Sequence, residues 1–208
     1  LGDFVSQGNE KNYRKYVQLM EEELRVPMLT VIGNHDRSRP NGDADKSFYE
    51  SIFGKGDFAY DYNGWRFIGV DTADRRMTRA QLDWLRGVLD TPNGKLVFTH
   101  VPPKYLSRRF RTRSMENKGG TVSDASSGYF EEGASEFGEL VSAARVDRVY
   151  LGHIHAFGVA DHEGVRYVLS GCGGSPHYPL PPGYPHRMFA HYLRVELSPD
   201  GVRATAVP

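Results

Sequence analysis

The sequence has a single cysteine, no excess of either charge and no long apolar run. Cys172 alone can form neither an internal disulfide nor a cysteine-rich zinc cluster. Lys+Arg and Asp+Glu both number 26 in 208 residues, which argues against a broad surface for nucleic acid or anionic membrane. Apolar stretches such as KLVFT (95–99) are far too short to cross a bilayer. We therefore expect a soluble protein without a membrane span. Because the chain opens at Leu1 and not at a methionine, its first residues are no basis for assigning a signal peptide or a compartment.

Apolar periodicity predicts a single α/β domain over residues 1–208. Helical spacing occurs over 10–25, 78–90 and 137–144, and Thr78 with Gln81 can form a capping box. Strand-like runs lie between and after these helices, at 28–32, 58–62, 66–70, 95–99, 148–151, 165–170, 191–197 and 202–207. Asn63-Gly64 is typical of a hairpin turn, whereas DHEG (161–164) and SPDG (198–201) indicate further turns. This order favours a mixed sheet, or a pair of sheets, covered by helices.

Polar side chains follow several of the predicted strands. Asn34 and His35 come after 28–32, His100 after 95–99, and His153 with His155 after 148–151, while Asp3 follows the opening Leu-Gly. In α/β sheets the carboxyl ends of the strands form the ligand crevice. Imidazole, carboxylate and amide groups together suit zinc, manganese or iron. Each residue alone is as readily a turn, a cap or a hydrogen-bonded structural group, but their conjunction indicates a metal site.

The motifs in which these residues stand resemble a known family. GDFVSQG (2–8), GNHD (33–36), FTHVPP (98–103) and GHIH (152–155) look like the motif series of calcineurin-like metallophosphoesterases. Longer stretches are similar to bacterial members related to purple acid phosphatases and cyclic-nucleotide phosphodiesterases, namely 58–72, 78–89 and 170–176. The resemblance implies two facing mixed β-sheets flanked by helices, a four-layer αββα sandwich. It also implies a dinuclear centre of divalent metal ions (manganese, iron or zinc) at the strand ends.

The resemblance further implies a role for each motif residue. Asp3 resembles the carboxylate that bridges both metals, and His35 resembles the histidine that contacts the phosphate and assists the leaving group. The remaining ligands divide between the two ions: Asn34, His100 and His153 for one metal, and His155 for the other. The implied reaction is metal-dependent hydrolysis of phosphate monoesters or diesters, in which a metal-activated hydroxide attacks phosphorus in line.

The sequence departs from the family pattern before Asp3. The family begins with a strand that ends in Asp-x-His and supplies two more ligands, and this chain has no such motif. We therefore expect an amino-terminally incomplete domain that lacks the first strand, with one well-held metal and one weak or empty position. The unpaired backbone groups would invite a partner chain, as a homo-oligomer or by strand exchange. The alternative function is a catalytically silent phosphoesterase-like binding or structural module.

Three other features keep more than one interpretation each. Ser6 stands where some relatives carry an acidic partner of the catalytic histidine, so Asp36 is either the carboxylate that orients His35 or a loop cap. The segment 173–186 is either a lid that brings His177 to the substrate or a rigid proline-rich surface loop. The cluster RRFRTR (108–113) is a solvated loop, a site for a phosphate-bearing substrate or, in a third function, the nucleic-acid contact of a nuclease.

Overall fold

The computed structural model describes residues 1–38, 45–110, 128–171, 173–174 and 189–208, and a six-stranded sheet lies at its centre. Its strands are β1 (Phe58–Tyr62), β2 (Trp65–Val70), β3 (Gly94–Thr99), β4 (Arg148–Leu151), β5 (Phe157–His162) and β6 (Val165–Ser170). They lie in the order β1-β2-β3-β4-β6-β5. The four central strands are parallel, and β1 and β5 pair antiparallel at the two edges. The sheet is therefore mixed, as predicted.

A second, two-stranded sheet packs on one face of the first. It is the hairpin of β7 (Tyr192–Ser198) and β8 (Gly201–Val207). Alternate residues of β7, among them Leu193 and Val195, pack against Leu96 and Tyr150 of the large sheet. A two-stranded hairpin is at best marginally stable alone, so this apolar contact holds it in place. The two sheets and the helices that flank them confirm the predicted fold class.

Helices cover the remaining apolar surface. They are α1 (Glu10–Glu23), α2 (Ser47–Phe53), α3 (Arg79–Leu89) and α4 (Ala134–Ala143), with a short 3₁₀ helix at Lys104–Leu106. The predicted capping box at Thr78 and Gln81 begins α3, and this helix buries Leu82, Leu85 and Leu89 in the core that it shares with α4 and the large sheet. Among the described residues, no helix combines the length and the apolar composition that a membrane span requires.

Several short elements, among them α2 and β5, were not predicted. Helix α2 spans seven residues, which is too short for helical periodicity to stand out. Strand β5 extends to His162, so the predicted turn at DHEG (161–164) is confined to Glu163 and Gly164. Both of these residues have the positive φ that a tight hairpin requires, 48° and 79°.

The predicted strand at residues 28–32 is wrong. Residues 24–33 belong to no strand of the described chain, because no neighbouring segment pairs with their backbone. Val31 is buried but Leu29 is 60% exposed, so one side of this segment faces solvent. Leu29, Val31 and β7 line an apolar groove of about 420 Å³ over the large sheet. The expectation that open strand edges attract a partner or swapped strand stays a prediction.

Candidate metal centre

The candidate ligands lie at the carboxyl ends of the central strands of the large sheet. These strands are parallel, so their carboxyl ends lie side by side. His100 directly follows β3, and Gly152 with His153 directly follows β4. Asp3 and Asn34 come from two loops that pack on these strand ends and on each other. The fold thus brings residues from four distant parts of the sequence to one place.

Potential ligand atoms of three side chains converge on the Nε2 atom of His100. Asp3 Oδ2 lies 3.2 Å from it, Asn34 Oδ1 lies 3.1 Å from it, and His153 Nδ1 lies 3.2 Å from it. Ligand atoms about 2.0–2.1 Å from a tetrahedral zinc ion would be about 3.4 Å apart. These distances are therefore close to those between ligands of a single cation.

The other nitrogen of His100 fixes which form of the ring faces this cluster. His100 Nδ1 lies 2.6 Å from the carbonyl oxygen of Leu1. A carbonyl oxygen can only accept, so Nδ1 carries a proton and Nε2 is the nitrogen available to bind a cation. Nε2 faces the carboxylate oxygen of Asp3 and the amide oxygen of Asn34. A cation among these electron-rich atoms would be stabilised, so the residues present fit a divalent metal ion.

Two of these residues have strained backbones. Asp3 and His153 have φ of 58° and 66°, in the left-handed region that non-glycine residues rarely adopt. Such conformations cost on the order of 1–3 kcal/mol each and concentrate at functional sites. They persist here because tight backbone packing holds both loops, and a Cβ atom on Gly33 would lie only 2.2 Å from Asp3 Oδ1.

Electrostatics keep Asp3 and His153 in the forms that bind cations. Burial raises the pKa of Asp3, but the hydrogen bond and charge of His100 and the N–H of His35 outweigh it and hold this pKa below its usual range. Burial, followed by the charge of His100, lowers the pKa of His153 well below the ordinary histidine value. Asp3 is thus a carboxylate and His153 a neutral imidazole at neutral pH.

His155 stands apart from the converging cluster. It lines a cavity of about 370 Å³ together with Asp3, His100 and His153. Within the described ranges, however, the group whose ligand atoms lie within 4.8 Å of one another is formed by Asp3, His100 and His153. The assignment of His155 to a different metal position from His153 stays a prediction that agrees with this geometry.

His35 and Asp36 point in different directions. The backbone N–H of His35 donates to Asp3 Oδ1 at 2.8 Å, and the ring is exposed. Its Nδ1 lies 3.1 Å from the backbone carbonyl of Ser6. Asp36 is buried and accepts backbone N–H groups, including that of Asp3 at 2.7 Å. Of the two interpretations of Asp36, the structure supports the loop cap.

A charged network behind Asn34 was not predicted from the sequence. Arg37 is buried, donates from Nε to the Asn34 carbonyl at 3.0 Å and pairs with Asp74 at 2.7 Å. Lys46 joins Asp74 to Asp71, at 2.7 and 2.6 Å. These residues carry no spacing signal, because they come from three loops that only the fold brings together.

Two predicted features lie wholly or partly outside the described residues. His177, proposed as a substrate contact, belongs to the range 175–188 that the structure does not describe. The basic cluster at 108–113 is described only through Phe110, and Arg108 and Arg109 are exposed there. Both assignments stay predictions.

Comparison with known proteins identifies the family. The model of the calcineurin-like phosphoesterase family matches residues 1–157. The chain belongs to the calcineurin-like phosphoesterases. Comparison with curated proteins gave no match. The family assignment agrees with the motifs at Asp3, Asn34, His100 and His153, all of which lie within the matched range.

Solved structures share the fold of this calcineurin-like phosphoesterase. The purple acid phosphatase PPD1 of yellow lupin (Lupinus luteus) superposes with a TM-score of 0.68 at 15% identity. That match covers 93% of this chain and 40% of the lupin protein, so the chain spans well under half of that enzyme. GAP50, the anchor in the inner membrane complex of Plasmodium, superposes with a TM-score of 0.54 at 14% identity and covers 100% of this chain and 82% of GAP50.

Proposed function

We propose that this chain hydrolyses phosphate monoesters or diesters with a divalent cation bound by Asp3, Asn34, His100 and His153. The observation that carries the proposal is the approach of three donor atoms to within 3.2 Å of His100 Nε2. Family membership supports metal-dependent phosphoester hydrolysis in general. The mixed imidazole, carboxylate and amide donors suit manganese, iron or zinc.

A cation at this position would polarise the phosphoryl group and activate water as the nucleophile. The chain's own residues orient the substrate beside it. The exposed ring of His35 donates from Nδ1 to the Ser6 carbonyl, which leaves Nε2 directed elsewhere. We assign His35 Nε2 the contact with the phosphoryl oxygen and, when protonated, the transfer of a proton to the leaving group.

The number of ions follows from the same side chains. One position has four side-chain ligands, whereas the other has His155 and a share of Asp3. We therefore propose one tightly bound ion and a second position that is weakly bound or empty. In the described part of the chain, the ligand atoms of Asp3, His100 and His153 lie within 4.8 Å of one another and His155 lies outside that group, which supports this division.

The test compares metal content and turnover in matched variants. Purified protein is stripped with chelator, reloaded with Mn²⁺ or Zn²⁺, and assayed by elemental analysis and with chromogenic phosphate monoesters and diesters. We expect His100→Ala to lose the ion, and both His100→Ala and His35→Ala to lose turnover. His162→Ala is the control. His162 lies beside the start of β6, so it is at the opposite end of the strands from the candidate ligands. Equal metal content and turnover in all variants would refute the proposal.

The second candidate function is a catalytically silent binding module. One structural neighbour, GAP50, is described as an anchor rather than by a reaction. In that case the chain would bind metal without turnover on any phosphate ester. Metal retention combined with equal background rates in wild type and His35→Ala would favour this candidate over the enzyme.

A further inference from the structure

The carboxylate of Asp36 joins the two loops that carry Asp3 and Asn34. Asp36 is 1% exposed, and its oxygens accept four backbone N–H groups. Oδ2 accepts those of Asp3 and Gly33, both at 2.7 Å, and Oδ1 accepts those of Phe4 and Val5, at 2.8 and 3.3 Å. Three successive N–H groups around a left-handed residue form a backbone nest, which binds anions. Here the anion is a side chain of the protein itself.

This arrangement sets the distance between two candidate ligands. A single oxygen, Asp36 Oδ2, holds the backbone of Asp3 and the backbone of Gly33, which immediately precedes Asn34. It also holds Asp3 in its left-handed conformation, from which Oδ1 accepts the N–H of His35 and Oδ2 faces His100. Asp36 therefore controls where the Asp3 carboxylate lies, although it offers no atom to the cluster.

The backbone of Asp36 is anchored from the opposite side. The hydroxyl of Tyr13, buried on α1, donates to the Asp36 carbonyl at 2.6 Å. The backbone of the following residue, Arg37, accepts the N–H of Gly8 at 3.1 Å. Helix α1 and the loop before it thus fix Asp36, and Asp36 fixes the loops that carry the ligands.

We propose that Asp36 is a positioning residue that determines the affinity of the metal centre and the placement of His35 without contacting the metal. The inference rests on the proposed metal site. Charge-assisted hydrogen bonds to four N–H groups are the physical basis, because a neutral side chain of the same shape accepts fewer and weaker bonds. Groups that orient ligands from outside the coordination shell typically change metal affinity by about 10–100-fold.

The decisive variant is Asp36→Asn, which keeps the size of the side chain but replaces one carboxylate oxygen with an NH₂ that cannot accept. We expect its Kd for Mn²⁺, measured by titration calorimetry on the folded protein, to rise by about 10–100-fold. At saturating Mn²⁺ we expect kcat to fall and KM to rise, because the displaced His35 contacts the phosphoryl oxygen and protonates the leaving group. The control is Asp45→Asn, which removes a carboxylate that accepts a surface backbone N–H, from Ser47 at 2.8 Å.

The outcomes separate the proposals. If wild type binds no Mn²⁺, the metal centre itself fails. If wild type binds Mn²⁺ and Asp36→Asn binds it equally well, the positioning role is refuted. The same holds if Asp36→Asn has a lower melting temperature but an unchanged affinity for Mn²⁺. Should Asp36→Asn not fold, Tyr13→Phe removes one anchor of Asp36 and is expected to weaken Mn²⁺ binding a few fold. Wild-type affinity in Tyr13→Phe would then overturn the proposal.

Discussion

Replacing Gly33 by alanine tests how closely the two ligand loops must pack. A Cβ atom at Gly33 would lie 2.2 Å from Asp3 Oδ1 and 2.3 Å from the Asp3 nitrogen, whereas ordinary contact begins near 3.4 Å. The difference between 3.4 and 2.2 Å means that Asp3 and Gly33 must move apart by about 1.2 Å. Neither neighbour is the end of a long flexible side chain, so the movement is transmitted directly to the candidate metal position.

A displacement of about 1 Å at a reacting centre can cost about 100-fold in rate. We therefore expect Gly33→Ala to lower kcat/KM on a chromogenic phosphate ester by about 100-fold and to weaken Mn²⁺ binding. The control is Gly87→Ala in α3, where nothing lies within 4 Å of the added methyl group. That substitution should leave activity unchanged and stabilise the helix by about 0.5–1 kcal/mol.

The assay measures steady-state rates at saturating Mn²⁺, with circular dichroism to confirm that both variants are folded. Folded Gly33→Ala with wild-type turnover and wild-type Mn²⁺ affinity would refute the reasoning. Such a result would mean that Asp3 can move by more than 1 Å without effect, and that it is not a metal ligand.

The ligand assignment, a buried threonine and the charged network can each be tested by substitution. His153→Ala should lose the tightly bound ion in elemental analysis, whereas His155→Ala should keep it; the reverse pattern would contradict the ligand assignment. Thr72→Val should lower the free energy of unfolding in urea by about 1–3 kcal/mol, because the buried Thr72 hydroxyl accepts the Val101 N–H at 2.9 Å; an unchanged value would contradict it. Asp74→Asn should be destabilising at pH 7. Burial raises the pKa of Asp74, but Lys46 and Arg37 have the larger effect, so the pKa lies below its usual value. The stabilisation by these ion pairs is therefore present above the unfolded pKa of about 3.9 and is lost as the pH falls through the folded pKa. The deficit of Asp74→Asn should therefore shrink in acid, and a constant deficit would count against the ion pairs.

Much of the fold could be predicted because its signals are local. The Thr78–Gln81 pair begins α3, and Asn63-Gly64 turns β1 into β2, as expected. Residues 28–32 have the composition of a strand, but a strand also needs a neighbour with which to pair its backbone. Composition therefore predicted extended backbone, and no partner for it lies in the described chain.

The candidate site, like the fold, could be predicted from the sequence only in part. Asp3, Asn34, His100 and His153 could be found because each stands in a short motif at a loop or strand end. The role of Asp36 could not, because a carboxylate beside His35 fits an orienting partner and a loop cap equally well in sequence. Only the positions of four backbone N–H groups distinguish the two. Arg37 likewise reaches Asn34 and Asp74 through contacts that no spacing reveals.

The most direct test is a crystal structure of the chain grown with Mn²⁺ or Zn²⁺, with anomalous scattering recorded at the metal's absorption edge. The account predicts a peak about 2.0–2.3 Å from Asp3 Oδ2, Asn34 Oδ1, His100 Nε2 and His153 Nδ1. The absence of a peak among these four atoms at saturating metal, with the side chains turned apart, would contradict it.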